Sequence, residues 1–132
     1  MPITHPSPQE FPLILHITSR PDWNQAQSLG EYRAASLESE GFIHASTERQ
    51  VIAVANAFYR GKPDLALLVI DESRLTSELR WEPPAGPPVE GHSSQDKFPH
   101  IYGPLNLDAV VRVLDLKPAS AGGFSLPRLE PV

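Results

Sequence analysis

The stretch Gly41-Phe42-Ile43-His44-Ala45-Ser46-Thr47 combines a turn residue, a short apolar run broken by one histidine, and a helix-start signal. Glycine lets the backbone turn into an extended segment, and the Phe-Ile pair favours a half-buried strand. Alternation along this strand places Phe42 and His44 on one face. Thr47 and Gln50 have the spacing of a capping box, which predicts a helix directly after the strand. A histidine in this position is well placed to meet an anionic ligand.

A second histidine-bearing strand is predicted upstream. Residues 13–18 form a short apolar run rich in strand formers, with His16 as its one ionisable residue. Ser19 follows as a candidate helix cap, and Pro21 is tolerated in a first helical turn because its missing N–H has no partner there. Gly30 is the predicted end of this helix. Two histidines on neighbouring strands can face one cleft, where they bind an anionic or sugar group or share acid/base work. The alternative is that each is a core histidine bonded to a backbone carbonyl.

Four further segments complete the predicted elements. Residues 48–59 show apolar side chains at helical spacing, which predicts a helix. Residues 65–70 are apolar on both faces, as in a strand at the centre of a sheet. Residues 79–82 and 110–116 are predicted as strands. Early strand–helix alternation followed by strands without a further long helix indicates an α+β fold.

The segment Phe98-Pro99-His100-Ile101-Tyr102-Gly103-Pro104-Leu105 is predicted to be compact and rich in turns. Its prolines stiffen the backbone, which would hold His100 and Tyr102 still beside a ligand. The alternative is a Pro-aromatic corner that only closes the edge of the core. Glu82, at the end of a predicted strand, can place a carboxylate near the same cleft or stay exposed.

The length of 132 residues fits one domain with a core that needs no disulfide or metal. We expect this domain over residues 13–116, between a flexible N-terminal arm (1–12) and a flexible C-terminal tail (117–132). Residues 83–97 hold four prolines and two glycines, which predicts an irregular loop that is mobile or functional.

The composition argues against several classes of protein. The chain has no cysteine, which removes disulfides, thiolate catalysis and thiolate zinc sites. A net charge of -5 without a basic cluster argues against extended nucleic-acid binding, although a few arginines can hold one nucleotide. Neither a secretion signal nor a membrane-spanning run is evident, so we expect a cytoplasmic protein without a membrane partner. No histidine spacing typical of a metal site occurs, and we predict no metal.

Taken together, the motifs resemble those of a small bacterial family known only as a domain of unknown function. The resemblance spans residues 13–116 and brings no activity with it. The matching motifs are Leu15-His16-Ile17-Thr18, Gly41-Phe42-Ile43-His44-Ala45-Ser46, Leu68-Val69-Ile70-Asp71, Trp81-Glu82 and the Phe98–Leu105 segment.

A more distant resemblance is to the RNA 2′-phosphotransferases of the ADP-ribosyltransferase-like superfamily, which bind NAD in a cleft between two small sheets. It rests on the order of the two histidine motifs, the helices that follow them and the apolar strand ending in Ile70-Asp71. It implies an ADP-ribosyltransferase-like α+β fold, with two small, mostly antiparallel sheets around a cleft and two to three short helices. It also implies that NAD or a related nucleotide is bound as a substrate, and that ADP-ribose is transferred.

The same resemblance implies roles for individual residues. His16 would contact the NAD ribose, and the His44-Ala45-Ser46 segment would line the nicotinamide side. Tyr102 would stack on a ring or donate its hydroxyl, and His100 or Tyr102 would supply the last catalytic position. The predicted catalytic residues are therefore His16, His44, His100 and Tyr102, and the predicted nucleotide-binding residues are His16, Thr18, His44, Ser46 and Tyr102.

The chain departs from the phosphotransferases at three points. Their phosphate-gripping arginines have no one-to-one match among Arg20, Arg33 and Arg49, and their glycine after the first histidine is Ile17 here. The catalytic glutamate of the toxin-type enzymes has only Glu82 as a candidate counterpart. These departures favour a second hypothesis, a non-catalytic module on the same fold that binds a ligand or a protein.

A third hypothesis follows from the two strand histidines alone. In a metal-free hydrolase or phosphodiesterase, His16 and His44 would act as an acid/base pair. This hypothesis predicts a bell-shaped pH–rate profile and no need for NAD.

Overall fold

The computed structural model describes residues 13–84 and 96–129. Within these ranges, the chain forms eight strands, three α-helices and two short 3-10 turns. The elements are β1 (Leu13–Ser19), α1 (Arg20–Leu29), β2 (Glu31–Tyr32), α2 (Ala35–Ser39), β3 (Ile43–His44), α3 (Val51–Phe58), β4 (Leu65–Asp71), a 3-10 turn (Glu72–Arg74), β5 (Glu78–Glu82), β6 (Phe98–Tyr102), β7 (Leu105–Asn106), a second 3-10 turn (Leu107–Ala109) and β8 (Val110–Leu116).

The strands pair in three small antiparallel sheets, with the orders β1-β4-β8, β2-β7 and β3-β6-β5. The predicted α+β class is therefore confirmed, with antiparallel sheets and short helices. The prediction of two sheets is corrected to three within the described ranges. The reason is that β2 and β7, of two residues each, pair with one another and join neither of the larger sheets.

Strand β4 is the centre of the fold, as its apolar sequence predicted. Its residues 65–70 are all buried, because β1 and β8 cover its edges and the core covers both of its faces. One face contributes Leu68 and Ile70 to a core cluster that also contains Trp23 of α1. The other face contributes Leu67 to a second cluster under α3. Burial on both sides explains why this strand shows no polar alternation.

Helix α1 begins and ends where its local sequence predicts. The Ser19 hydroxyl accepts a hydrogen bond from the Asp22 amide at 3.1 Å, and Pro21 lies in the first turn. Gly30 ends the helix in the left-handed conformation, with φ 88°. A residue with a Cβ is strained in this conformation, so glycine is favoured here.

Helix α3 is shorter than the predicted 48–59 segment, because residues 47–50 form a turn before it. The Gln50 side chain accepts from the Thr47 amide at 2.9 Å, which is one half of the predicted capping box. The same side chain donates to the carbonyl of Lys97 at 2.8 Å. Gln50 therefore connects the start of α3 to the segment that leads into β6.

The prediction that residues 98–105 form a turn-rich segment is wrong, because Phe98–Tyr102 is β6, the central strand of its sheet. Proline is unusual in a central strand because it cannot donate a hydrogen bond. The position of Pro99 resolves this conflict. The paired residues of β3 and β6 end at His44 and His100, so Pro99 lies beyond the end of this ladder. The Pro99 carbonyl still accepts a hydrogen bond from the Ala45 amide at 3.0 Å.

Residues 117–129 contain no helix or strand, but part of this segment is packed against α3. The Phe124 side chain is buried in the second core cluster, and its amide donates to the Asn56 side chain at 2.8 Å. The sequence predicts a flexible tail from residue 117, and in the structure this segment contacts the core at Phe124. The predicted arm 1–12 and most of the 83–97 loop lie outside the described residues.

No helix in the described part of the chain is long and apolar enough to cross a membrane.

Candidate functional site

Strand β1 and the residues after β3 are held together by a backbone bridge between Leu15 and Ser46. The Leu15 amide donates to the Ser46 carbonyl, and the Ser46 amide donates to the Leu15 carbonyl, both at 2.8 Å. This pair of hydrogen bonds places His16 beside His44, although 28 residues separate them in sequence. The two sequence motifs that carry these histidines therefore meet at one point.

The His16 ring is fixed through both of its nitrogens. Its Nδ1 lies 2.5 Å from the main-chain carbonyl oxygen of His44, and its Nε2 lies 2.8 Å from the Tyr32 hydroxyl. A carbonyl can only accept, so Nδ1 carries the proton and Nε2 of the neutral ring accepts from Tyr32. The Tyr32 oxygen also lies 3.0 Å from the Thr18 hydroxyl. The result is a polar chain of Thr18, Tyr32 and His16.

Burial determines the charge states of the His16 and Tyr32 side chains. His16 is only 7% exposed, and burial lowers its pKa from 6.5 to about 4, against the opposing effect of the His44 carbonyl. Burial also raises the pKa of Tyr32 to about 12. Both side chains are therefore neutral at physiological pH. They can orient a ligand, but His16 has no free nitrogen for proton exchange while both bonds are made.

A cleft of about 530 Å³ opens beside the hydrogen-bonded side chains of Thr18, Tyr32 and His16. One part of its wall is polar, and the other part is aromatic and apolar. The polar part includes His16, Thr18, Tyr32, His44, Ser46 and His100, and the aromatic and apolar part includes Val54, Phe58, Tyr59 and Leu65. Lys62 lies at the aromatic part, with its Nζ 5.5 Å from the Tyr59 ring centroid. The volume lies within the usual range of small-molecule sites, about 300–1,000 Å³.

His44 differs from His16 in that its ring is accessible. The His44 side chain is 42% exposed, and its Nε2 lies 3.0 Å from Glu40 Oε2. Its contact with His16 is made by the backbone carbonyl and not by the ring. The two rings therefore do not form an acid/base pair with each other, so this geometry does not favour the metal-free hydrolase.

One face of the β3-β6-β5 sheet brings a third histidine, His100, to the cleft. The strand register places His100 directly opposite both His44 and Arg80. The His100 ring stacks on Phe42, with centroids 4.2 Å apart, and it meets the His44 ring edge at 5.6 Å. The predicted shared face of Phe42 and His44 is therefore confirmed, with their rings 4.8 Å apart.

Glu82 connects His100 to Tyr102 on the same face. The Glu82 Oε1 atom accepts from the Tyr102 hydroxyl at 2.5 Å and from His100 Nδ1 at 2.9 Å. The bonds from Tyr102 and His100 lower the pKa of Glu82, which keeps this group a carboxylate. Arg80 lies over the Tyr102 ring, 4.4 Å from its centroid.

The predicted site residues fall into two groups. Five of them, His16, Thr18, His44, Ser46 and His100, line the cleft, while Tyr102 is absent from the described lining and binds Glu82 instead. Tyr32 was not predicted from the sequence. It lies on the two-residue strand β2, and no local pattern marks it as the partner of His16.

Two of the three arginines considered as phosphate ligands form ion pairs elsewhere, and none of the three lines the described cleft. Arg20 forms an ion pair with Asp115, and Arg33 forms one with Glu31 at 2.6 Å. Neither they nor Arg49 belong to the described lining of the cleft, which leaves Lys62 as its lysine or arginine. Within residues 13–84 and 96–129, no group of three or more histidine, aspartate or glutamate side chains is arranged to hold a metal ion.

The fold and the site together define an α+β domain with a histidine-lined cleft. The chain belongs to the family described as "Protein of unknown function (DUF952)", whose model matches residues 17–113. The predicted membership in a family of uncharacterised domains is therefore confirmed. No curated protein matches the chain.

Protein CC0527 from Caulobacter crescentus is similar to this chain in three solved structures. Its crystal structure gives a TM-score of 0.74 at 32% identity, covering 86% of this chain and 93% of CC0527. A crystal structure of a double mutant of CC0527 gives a TM-score of 0.73 with the same identity and coverage. Its solution NMR structure gives 0.68 at 33% identity, covering 84% of this chain and 90% of CC0527.

Proposed function

We propose that the cleft binds NAD or a related nucleotide and that the domain transfers ADP-ribose from it. The observation that supports this most is the fixed Thr18–Tyr32–His16 chain in the wall of a cleft that also presents His44 and Ser46. Hydroxyl and imidazole groups held by fixed hydrogen bonds recognise the hydroxyls of a ribose with little loss of entropy. The resemblance to the phosphotransferases also assigns NAD binding to His16, Thr18, His44 and Ser46, but not to Tyr32.

The two parts of the cleft match the two chemistries of a dinucleotide. The polar part can bind a ribose and a carboxamide, while Phe58 and Tyr59 offer faces and edges to a second aromatic base. Lys62 lies beside Tyr59, where its ammonium can neutralise part of the diphosphate between the two nucleosides. A single lysine gives weak phosphate binding, so most of the affinity would come from the polar part.

Transfer would begin with loss of nicotinamide from the ribose, which leaves an oxocarbenium-like centre. In this proposal, His16 stays uncharged, because burial lowers its pKa to about 4, and its two bonded ring nitrogens hold the Tyr32 hydroxyl in position at the wall of the cleft. His44, whose ring is half exposed, contacts the nicotinamide side with Ser46. Catalysis would come from orienting the glycosidic bond and from stabilising the developing charge.

The non-catalytic module remains the second candidate, and one observation favours it. The three arginines named above do not line the described cleft, so the phosphate clamp of the phosphotransferases has no counterpart there. Such a module would bind NAD without converting it. Release of nicotinamide during incubation with NAD separates the two candidates.

Calorimetric titration of the full chain with NAD, ADP-ribose and nicotinamide riboside tests the binding proposal. We expect His44→Ala to weaken NAD binding about tenfold, because it removes a ring from the polar wall. The variant keeps the backbone carbonyl that holds His16, so folding should be preserved. Lys62→Ala should weaken NAD and ADP-ribose binding two- to fivefold while leaving nicotinamide riboside unchanged, since that ligand lacks the diphosphate.

The matched control is Arg33→Ala, which removes a cation whose ion pair with Glu31 lies outside the described cleft wall. Its dissociation constants should equal those of the wild type. Absence of heat for all three ligands at millimolar concentration would contradict the proposal. Equal loss of binding in the Arg33 and His44 variants would contradict the assigned position of the ligand.

A further inference from the structure

His100 combines three properties that are rarely found in a structural histidine. Its side chain is 2% exposed, it belongs to the wall of the cleft, and its Nε2 has no hydrogen-bond partner among residues 13–84 and 96–129. Leaving a buried polar atom unpaired costs free energy, so such an atom needs a reason. An interaction with a ligand in the cleft would supply the missing partner.

The other side of the ring explains how Nε2 is prepared for that partner. The Glu82 carboxylate can only accept, so its 2.9 Å contact places the proton of the neutral ring on Nδ1. Nε2 then has a free lone pair. The Tyr102 hydroxyl donates to the same Glu82 oxygen at 2.5 Å, and Phe42 stacks on the ring at 4.2 Å. These contacts hold Glu82 and His100 in one orientation.

We propose that Glu82, His100 and the acceptor substrate form a proton relay, in which His100 Nε2 takes a proton from a hydroxyl group on the acceptor. The inference rests on the proposed function and deepens it, because it assigns the acceptor to the class of hydroxyl compounds, water included. His100 is the catalytic residue of the relay. Glu82 and Tyr102 are positioning residues.

The transfer step balances with these groups alone. As nicotinamide leaves, the acceptor oxygen forms a bond to the oxocarbenium-like anomeric carbon of the ribose, and the acceptor proton moves to His100 Nε2. The bond between that carbon and the pyridinium nitrogen breaks, and its electron pair makes nicotinamide neutral. His100 is left as an imidazolium beside the Glu82 carboxylate and then releases its proton to solvent. Nothing is oxidised or reduced.

Nicotinamide release from NAD, with water or methanol as the hydroxyl acceptor, tests the relay in the full chain. We expect His100→Gln to lower kcat about 10²- to 10⁴-fold, the usual contribution of a general base, with the Kd for NAD within threefold of the wild type. Glu82→Gln should lower kcat about tenfold and leave KM unchanged. This second variant keeps the test valid if the buried His100 substitution does not fold, because Glu82 is only partly buried.

The matched control is Glu78→Gln, which lies on the same strand and face as Glu82 but binds Arg80. Its kinetics should be unchanged. Nitrogen NMR of histidine-labelled protein gives an independent reading: His100 should carry its proton on Nδ1 in the wild type and become a tautomer mixture in Glu82→Gln. NAD should change the Nε2 signal.

The outcomes separate the relay from the proposed function. If NAD does not bind, both are wrong. If NAD binds and nicotinamide is released, but a folded His100 variant or Glu82→Gln turns over like the wild type, only the relay is wrong. Binding without any release of nicotinamide also overturns the relay and favours the non-catalytic module.

Discussion

His16 donates its Nδ1 hydrogen to the main-chain carbonyl oxygen of His44 at 2.5 Å, and this bond connects β1 to β3. The two histidines therefore have different parts in the same site. His16 is buried, neutral and fixed, whereas the ring of His44 is half exposed beside Glu40. The core-histidine and ligand-binding interpretations of His16 are compatible, because a ring bonded to a backbone carbonyl also lines the cleft.

The lowered pKa of His16 predicts a dependence of stability on pH. Above pH 6.5 the His16 ring is neutral in both the folded and the unfolded state, and its full contribution to the free energy of unfolding is present. Between pH 6.5 and about 4, the unfolded chain binds a proton that the folded state does not. The free energy of unfolding therefore decreases as the pH is lowered through this range. The loss should total about 3 kcal/mol and level out below pH 4. Urea unfolding at several pH values measures it.

The His16→Gln variant isolates this contribution, because the carboxylates that also titrate in this window are common to both proteins. We expect the variant to be less stable at pH 7 and to have a shallower slope between pH 6.5 and 4. Parallel curves for the wild type and His16→Gln would show that His16 is not held neutral.

The hydroxyl of Tyr32 is predicted to stabilise the fold as well as the site. Tyr32→Phe leaves the buried Nε2 of His16 without its donor and should cost about 2 kcal/mol, a typical penalty for an unsatisfied buried group. Tyr59→Phe is the control, because the Tyr59 hydroxyl makes no hydrogen bond among the described residues. Its free energy of unfolding should therefore stay within about 0.5 kcal/mol of the wild type. Equal midpoints in urea for the two variants would contradict the assignment.

Anchoring of the C-terminal segment predicts a contrast between two neighbouring side chains. Phe124 is 7% exposed and packs in the second core cluster, so Phe124→Ala should destabilise the protein by about 3 kcal/mol. Leu126, two residues on, is 37% exposed, and Leu126→Ala should cost less than about 1 kcal/mol. Thermal unfolding of both variants tests this, and the same small effect in each would indicate a free tail.

The elements that the sequence predicts well are those with local causes. The Ser19 cap, the Gly30 stop and the two-sided apolar run of β4 all depend on neighbouring residues alone, and all are found. Strand β6 was not predicted because its Pro99 argues locally against a central strand. The proline is tolerated because β3 ends opposite it, and this depends on the tertiary pairing of the two strands and not on the local sequence.

Residues of the site were predictable only where the local sequence pattern itself makes one residue conspicuous. His16 and His44 were identified because a single ionisable group in an apolar strand is conspicuous. Tyr32 was not identified, and Glu82 was suggested near the cleft without His100 as its partner, since these contacts join residues 16 and 18 positions apart in different strands. Burial of Phe124 has the same explanation, because Asn56 and the core of α3 lie far upstream.

The cleft between the two histidine motifs is the proposed binding site of NAD or a related nucleotide. The most direct measurement is an NMR titration of the isotopically labelled full chain with NAD, with ADP-ribose in a parallel series. We expect saturable shifts centred on His16, Thr18, His44 and Ser46, with smaller shifts at Phe58 and Tyr59. No shift at millimolar NAD, or saturable shifts confined to residues away from this cleft, would contradict it.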